Sequence, residues 1–209
     1  MELYDELMPN EPRLMPMQSH PFNGDVYVCE QFLELQTHFK IKTVIELGSC
    51  VMGTTKWLAE NFDNVKTVEI NDTFRNIGLQ RIKGLRNVES YLGDSGKMLP
   101  AMLSGCNNDV LIWIDSHWEK HFPLFDELQV IKQSQLMPII VIHDCKVPYQ
   151  PELGYDSYNG IDISFETIKP FLDDIYGGEG EYQYHYNSYE ASTGAKTGLI
   201  YIYGSNHSL

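Results

Sequence analysis

The sequence predicts a doubly wound α/β fold with a mostly parallel sheet of seven strands, of which the last two form an antiparallel C-terminal hairpin. Five short apolar runs alternate with helical patterns over residues 25–142, and the last quarter of the chain adds a loop, a helix and two strand-like runs. Strands that alternate with helices favour right-handed βαβ units and a parallel sheet. The 209 residues suit one such domain.

The strands are predicted from runs of β-branched and other apolar residues that lack strict alternation, which is typical of strands buried on both faces. The five runs of the parallel part are followed by two that pair as the closing hairpin. The predicted strands are 43–47, 65–70, 88–92, 110–114 and 139–142, then 182–187 and 199–203.

The helices are predicted where apolar residues recur at helical spacing, as Val28, Phe32 and Leu35 do in the first of them. Residues 147–160 are rich in Pro, Tyr, Gly and Asp and are predicted to form a long loop, and Pro170 is expected to break or kink the last helix. The predicted helices are 25–39, 54–62, 72–83, 122–132 and 163–175.

The composition argues against several kinds of partner. The chain has 15 Lys and Arg against 29 Asp and Glu, a formal net charge of −14, and this field repels nucleic acids and anionic membranes. The N-terminal residues lack the pattern of a signal peptide, and no apolar run approaches the ~20 residues that span a bilayer. The four cysteines form no CxxC pair, which predicts buried free thiols and a cytoplasmic protein.

The first predicted strand leads into a loop with glycine at both ends. Glu46 and Gly48 close the strand, and Gly53 opens the next helix. Glycine lets the backbone come close to a ligand, the helix N-terminus offers free N–H groups, and an acid at the strand tip can receive a cationic amino group. The pattern favours a nucleoside cofactor, although not a dinucleotide, because the spacing is not G-x-G-x-x-G. The alternative is a tight turn that binds nothing.

The next two strands also end in polar residues. Glu69 lies about twenty residues beyond the glycine loop, where a carboxylate can bind the hydroxyl pair of a ribose. The turn at Asp94 and Ser95 can hydrogen-bond an adenine amino group. The alternatives are a solvated acid at a strand end and a generic polar turn.

Acids and histidines follow the fourth and fifth strands, which should flank the first. Asp115 and His117 follow the fourth strand, and His143 and Asp144 follow the fifth. Two carboxylates with nearby imidazoles can hold a divalent cation; oxygen-rich sets favour Mg²⁺ or Mn²⁺, and imidazole-rich sets favour Zn²⁺ or Fe²⁺. The alternatives are an aspartate that caps a helix and a histidine with a structural hydrogen bond.

Taken together, these segments resemble the class I S-adenosylmethionine-dependent methyltransferases, whose fold is Rossmann-like, and within them the metal-dependent, catechol-type O-methyltransferases. The resemblance covers roughly residues 25–147 and the closing hairpin. It depends on ELG at 46–48, TVEIN at 67–71, YLGDS at 91–95, IDSHWEKHF at 114–122, VIHDC at 141–145 and TGLIYIYG at 197–204.

The resemblance implies a role for most of these residues. The residues implied around S-adenosylmethionine are Glu46, Gly48 and Gly53 at its methionine half, Glu69 at the ribose, Asp94 or Ser95 and Trp118 at the adenine, and in addition Ser49 and Asp115. The residues implied around the metal and the chemistry are Asp115, Asp144 and His143 as metal ligands, and Lys120 as general base with His117 and His121 as rivals. The implied metal is Mg²⁺ or another divalent cation.

This sequence departs from the family pattern at three places. The gap between Gly48 and Gly53 is one residue longer than usual, Ser116 is an extra residue after the metal aspartate, and Cys145 replaces the usual asparagine. Cysteine is a poor ligand for Mg²⁺. The cofactor site is therefore less affected than the metal site.

The function that we expect is methyl transfer from S-adenosylmethionine to a small molecule, at a hydroxyl and with a divalent metal. Residues 1–24 are expected to form a lid or acceptor segment before a single domain over 25–209, and the Tyr-rich residues 147–158 to wall the acceptor pocket or to form a homodimer contact. The alternatives are a metal-dependent hydroxylase or hydrolase on the same scaffold and a non-catalytic module that binds the cofactor.

Overall fold

The predicted fold is confirmed by a computed structural model that describes residues 19–118 and 120–205. Seven strands form one sheet in the order β3-β2-β1-β4-β5-β9-β8, and two very short strands form a separate hairpin. The strands are β1 Thr43–Leu47, β2 Asn64–Glu69, β3 Val88–Leu92, β4 Val110–Ile114, β5 Ile139–Ile142, β6 Ser157–Tyr158, β7 Ile161–Asp162, β8 Tyr182–Tyr186 and β9 Ile200–Gly204.

Six α-helices connect or flank these strands in the described part of the chain. They are α1 Val26–Phe39, α2 Gly53–Asn61, α3 Asp72–Arg81, α4 Ser95–Leu103, α5 Leu124–Ser134 and α6 Phe165–Tyr176. Four of them begin at a residue whose side chain accepts a hydrogen bond from a backbone N–H of the first turn, which fixes where each helix starts. These caps are Asp25, Asn71, Asp94 and Ser164.

The sheet is parallel from β1 to β5, and β9 runs antiparallel between β5 and β8. The carboxyl ends of the five parallel strands therefore lie along one edge. The strand order reverses at β1, since β2 lies on one side of β1 and β4 lies on the other. Ligands of open α/β sheets bind in the crevice that forms at such a point.

The core has two layers, one on each face of the sheet. Helices α4, α5 and α6 bury Leu99, Leu128 and Leu172 against one face. Helices α1 and α2 bury Phe32 and Leu58 against the other. The β4 residues are all buried, which explains why that strand reads as a continuous apolar run.

The structure differs from the predicted elements at three places. Helix α4 was not predicted, although Met98, Leu99, Met102 and Leu103 recur at helical spacing. The predicted loop 147–160 contains β6, which pairs with β7. Helix α6 continues through its proline instead of breaking there.

All four cysteines are free thiols, as expected, but only Cys145 is fully buried. Most of the predicted N-terminal lid, residues 1–18, lies outside the described residues. Among the helices that are described, none combines the length and the apolar character needed to cross a bilayer.

Candidate cofactor and metal site

The loop between β1 and α2 is held close to the neighbouring strands. A Cβ atom on Gly48 would clash with the backbone carbonyl of Asp115, and the φ angle of Gly48 is +91°. The backbone N–H groups of Gly48 and Ser49 both donate to the carbonyl oxygen of Val68, at 3.1 Å each. Glycine is required here because the loop passes directly against the end of β4.

Glu46 lies on β1 and is 1% exposed. The hydroxyl groups of Thr55 and Thr67 both donate to its Oε2 atom. Its Oε1 atom and the hydroxyl of Ser49 are buried without a hydrogen-bond partner among residues 19–118 and 120–205. Burial raises the pKa of Glu46 to about 7, against the effect of the two threonine hydrogen bonds. Among the described residues, one carboxylate oxygen of Glu46 thus accepts hydrogen bonds and the other accepts none.

Glu69 ends β2 at the same edge of the sheet. Its Oε2 atom accepts from the backbone N–H of Cys50 at 2.7 Å, and its Oε1 atom accepts from that of Asn71 at 2.8 Å. Burial raises the pKa of Glu69, and its negative charge in turn helps to raise the pKa of Glu46. Because β1 and β2 are adjacent, the two carboxylates lie at neighbouring strand ends, as expected.

The start of the described chain covers the first turn of α2. A Cβ atom on Gly53 would lie 2.5 Å from the backbone oxygen of Ser19. The Arg81 guanidinium donates to that same oxygen at 2.5 Å, and the backbone N–H of Phe22 donates to the hydroxyl of Thr54 at 2.9 Å. Residues 19–22 are therefore fixed over the helix end that Gly53 opens.

The turn after β3 contacts a second turn that follows β4. Trp118 and His121 exchange two backbone hydrogen bonds of 3.0 and 2.9 Å. The side chain of Asp94 accepts from the backbone N–H of Lys97 at 3.2 Å, and its other oxygen lies 3.3 Å from Nε2 of His121. Ser95, the residue after Asp94, is buried. The residues that the resemblance assigns to the adenine are thus brought to one place.

Three exposed apolar side chains lie at or just beyond the carboxyl ends of β2, β3 and β4. Trp118 is 48% exposed, Ile70 after β2 is 55% exposed, and Leu92 at the end of β3 is 46% exposed. Exposed apolar residues that gather at one edge mark a ligand or partner site more often than scattered ones do. The sequence analysis missed Ile70 and Leu92, although each is the apolar residue at the end of a strand that carries a predicted site residue.

A candidate metal group lies at the ends of β4 and β5. Asp115, His117 and Asp144 each offer one ligand atom, and these atoms all lie within 4.8 Å of one another. Nε2 of His117 lies 3.2 Å from Oδ2 of Asp144. His117 is buried, whereas the side chains of Asp115 and Asp144 are 24% and 17% exposed.

His143, a predicted metal ligand, is not part of that group of three. Its Nδ1 atom lies 3.0 Å from Oδ1 of Asp115 and 3.2 Å from Oδ2 of Asp144, and its Nε2 atom lies 2.6 Å from the hydroxyl of Thr197. A nitrogen between two carboxylates carries a proton and donates to them, and Nε2 shares a hydrogen bond with the threonine hydroxyl. In this arrangement His143 orients both aspartates.

The charges of the histidines and aspartates stabilise one another. Burial disfavours the ionised form of Asp144, but the charges and hydrogen bonds of His143 and His117 outweigh it and hold the pKa of Asp144 below its usual range. Burial likewise disfavours charge on His143, and the carboxylates of Asp115 and Asp144 raise its pKa well above the usual value. A bound cation would stabilise the two carboxylates in place of the positive charges of the histidines.

Two of the departures from the family pattern, Ser116 and Cys145, and the predicted base lie at different places in the structure. Ser116, the extra residue, donates to Oε1 of the buried Glu127 at 2.5 Å. Cys145 is fully buried in the core, with Sγ 3.9 Å from the backbone oxygen of Lys146. The predicted base, Lys120, is exposed on the turn between Trp118 and His121.

Comparisons with known proteins support the fold. No family model and no curated protein matches this chain. Similar solved structures include an O-methyltransferase of tomaymycin synthesis from Streptomyces achromogenes in complex with SAM, with 14% identity, coverage of 97% of this chain and 86% of that one, and a TM-score of 0.57. An O-methyltransferase from Bacillus cereus in complex with SAH has 16% identity, coverage of 97% and 90%, and a TM-score of 0.56.

An rRNA methylase from Streptococcus thermophilus is also similar, with 12% identity, coverage of 86% of this chain and 95% of that one, and a TM-score of 0.56. At such identities the likeness concerns the fold. The expected Rossmann-like fold of the class I methyltransferases is thereby confirmed for this chain.

Proposed function

We propose that this protein is an S-adenosylmethionine-dependent methyltransferase that acts on a hydroxyl group of a small molecule with the help of a divalent cation. One observation carries the proposal: the loop at Gly48 packs against the backbone of Asp115, so the candidate cofactor loop and the candidate metal group adjoin at a single point. A methyl donor and a cation-bound acceptor must meet in that way for the transfer.

The cofactor fits the residues along the strand ends. Glu69 presents a carboxylate that two backbone amides hold in place, which suits a ribose hydroxyl pair. The unpartnered Oε1 of Glu46 and the unpartnered hydroxyl of Ser49 suit the polar end of the methionine. Ile70 and Trp118 offer apolar surface to the adenine. When bound, the cofactor would supply a methyl group on a cationic sulfur.

A divalent cation would be held by Asp115 and Asp144 together with a histidine. It would lower the pKa of a substrate hydroxyl and fix that oxygen in position. These aspartates are partly exposed while the histidines behind them are buried, so the group opens toward solvent on the carboxylate side. An acceptor could therefore reach the group without displacing the core.

Lys120 is the residue that we assign to proton removal. Nε2 of His117 faces Asp144 at 3.2 Å, which favours a role for that nitrogen at the cation rather than as a base. Lys120 lies three residues further along, on the exposed turn, and its amine can swing toward an acceptor oxygen. The base would then approach from the solvent side of the aspartates.

Aromatic rings beside the metal group favour a small, partly apolar acceptor. The Tyr158 ring centroid lies 5.8 Å from that of His117, and the Tyr158 ring stacks on Phe122 at 4.8 Å. The segment that carries Tyr158 is held beside the site, since the backbone N–H of Asp156 donates to the backbone carbonyl oxygen of Asp144 at 3.0 Å. The net charge of −14 disfavours an RNA acceptor of the kind that the rRNA methylase is named for.

Calorimetric titration with S-adenosylhomocysteine tests the cofactor assignment, with and without Mg²⁺. We expect the wild type to bind and Glu69→Ala to lose at least about tenfold in affinity, because the carboxylate that binds the ribose is gone. The control is Glu60→Ala, which removes a half-exposed glutamate on α2 outside the site. Equal affinity of Glu69→Ala and the wild type would contradict the proposal.

A further inference from the structure

We propose that Asp115, His117 and Asp144 form a site selective for a later divalent first-row transition ion, such as Co²⁺ or Zn²⁺, over Mg²⁺, with Nε2 of His117 as the third protein ligand. The inference deepens the proposed function, because it names the ion beside which the acceptor oxygen would be placed. The binding of the ion can be measured without cofactor or acceptor.

The distances between these ligand atoms suit one ion that they share. Nε2 of His117 and Oδ2 of Asp144 are 3.2 Å apart, and all three ligand atoms lie within 4.8 Å. Two adjacent ligands with bonds of about 2.1 Å lie about 3.0–3.4 Å apart in octahedral or tetrahedral geometry. The histidine and this aspartate can therefore bind one ion without rearrangement of either.

The chemistry of the donors decides which ion is favoured. Mg²⁺ prefers oxygen ligands and keeps much of its water, whereas an imidazole nitrogen suits later first-row ions such as Co²⁺ and Zn²⁺. The side chain of His117 is 1% exposed, and its Nδ1 atom has no hydrogen-bond partner among residues 19–118 and 120–205. Its only polar contacts there are to carboxylates, Asp144 and, at 4.0 Å, Asp156. An imidazole buried against carboxylates in this way is placed for them and not for packing.

His143 completes the site from behind. Its Nδ1 atom contacts both aspartates, and Thr197 holds its other nitrogen at 2.6 Å. Hydrogen bonds to the outer oxygens of ligating carboxylates orient them and are a regular part of metal sites. Since both nitrogens of His143 are engaged, His117 is the imidazole left for the ion.

The test compares metal affinities of chelator-stripped protein by calorimetry, with MgCl₂, MnCl₂, CoCl₂ and ZnCl₂ as the probes. We expect the wild type to bind Co²⁺ and Zn²⁺ about a hundredfold or more tighter than Mg²⁺. His117→Asn should lose at least about tenfold in affinity for Co²⁺ and Zn²⁺ and change little for Mg²⁺. His38→Asn, at the last turn of α1, is the matched control and should bind like the wild type.

A second measurement begins with the wild type alone. Pulsed electron spin resonance of the Mn²⁺ complex of the wild type detects a directly bound imidazole through its nitrogen nuclei. A nitrogen signal, lost in His117→Asn but kept in His143→Asn, supports the assignment. Absence of the signal, or equal affinity for Mg²⁺ and Zn²⁺, overturns it. Failure of methyl transfer with intact Zn²⁺ binding would instead count against the proposed function alone.

Discussion

At the scale of single residues, two buried carboxylates distinguish this molecule. Glu46 and Glu127 are almost fully buried, and each has one oxygen without a partner in the described chain. Burial raises the pKa of each to about 7, although hydroxyl groups donate to both. Each therefore holds a proton in the folded protein at a pH where an unfolded chain would release it.

Glu127→Gln should change the pH dependence of stability. The folded-state pKa of Glu127 is raised above its unfolded value of 4.5, so the folded protein binds more protons and its stability falls as pH rises from about 4.5 to about 7. The glutamine should remove a cost on the order of 3 kcal/mol above pH 7 and leave stability at pH 4.5 nearly unchanged.

Urea unfolding at a series of pH values measures this effect. The control is Asp126→Asn, which neutralises the exposed neighbour on the same helix turn. A glutamine variant that loses stability above pH 7, or that keeps the wild-type slope, would show that the pKa of Glu127 is not raised in the folded protein.

At the scale of elements, the cap of α4 links helix stability to the candidate cofactor site. Asp94 caps α4 and also contacts His121 on the turn after β4. Ser164 caps α6, where its hydroxyl accepts from the backbone N–H of Thr167 at 3.4 Å, away from the cofactor residues. The two helices thus offer a cap inside the site and one outside it.

Asp94→Ala and Ser164→Ala should separate these roles. Each variant should lose about 1 kcal/mol of unfolding free energy, because a helix N-terminal amide loses its acceptor. Only Asp94→Ala should also weaken S-adenosylhomocysteine binding. Chemical denaturation and calorimetry give the two quantities, and an equal loss of binding in both variants would argue that helix stability alone is responsible.

The elements also show what a sequence can predict. Strands β1, β3, β4 and β5 have the predicted bounds. For β1, β4 and β5 this is because a short run of buried, mostly β-branched residues has few alternatives; β3 is only partly buried, so it is not the strand buried on both faces that was predicted. Helix α4 was missed because Gly96 and Pro100 interrupt its pattern. The β6–β7 hairpin was missed although Asn159 and Gly160 both have positive φ angles, which is the conformation that this pair favours in two-residue hairpin turns.

The candidate site was predictable to the extent that topology determines it. Glu46 and Glu69 lie near or at the carboxyl ends of their strands, and Asp115 directly follows its strand. These ends must share an edge of the sheet, so the proximity of the three residues follows from the strand order. The choice between His117 and His143 as a ligand depends on which way each ring turns, and that is decided by Thr197, 54 residues beyond His143. Strand positions alone do not contain this information.

At the scale of the whole molecule, the negative charge is the dominant feature. A formal net charge of −14 on 209 residues implies mutual repulsion across the surface of the folded state. The ion pairs of the described residues, such as Lys132 with Asp174 at 2.6 Å, are mostly exposed and contribute little individually. Dissolved salt therefore reduces the repulsion between the surface charges more than the ion pairs within the chain do.

Moderate salt should stabilise this protein. Raising NaCl from about 0.02 to about 0.2 M shortens the screening length from roughly 20 Å to below 10 Å, and a gain of about 1 kcal/mol would raise Tm by about 2–4 °C. Differential scanning calorimetry measures the change, with sucrose at equal osmolarity as the uncharged control. A Tm that falls with salt would mean that specific ion pairs outweigh the net repulsion.

The contact between His143 and Thr197 has a consequence for biosynthesis. A ribosome makes the aspartates and both histidines of the metal group well before it makes Thr197, which immediately precedes β9. Until that late segment emerges and inserts beside β5, nothing holds the His143 ring between the two carboxylates. In the nascent chain, the candidate metal group therefore reaches the arrangement described here only after the segment that carries Thr197 has been made.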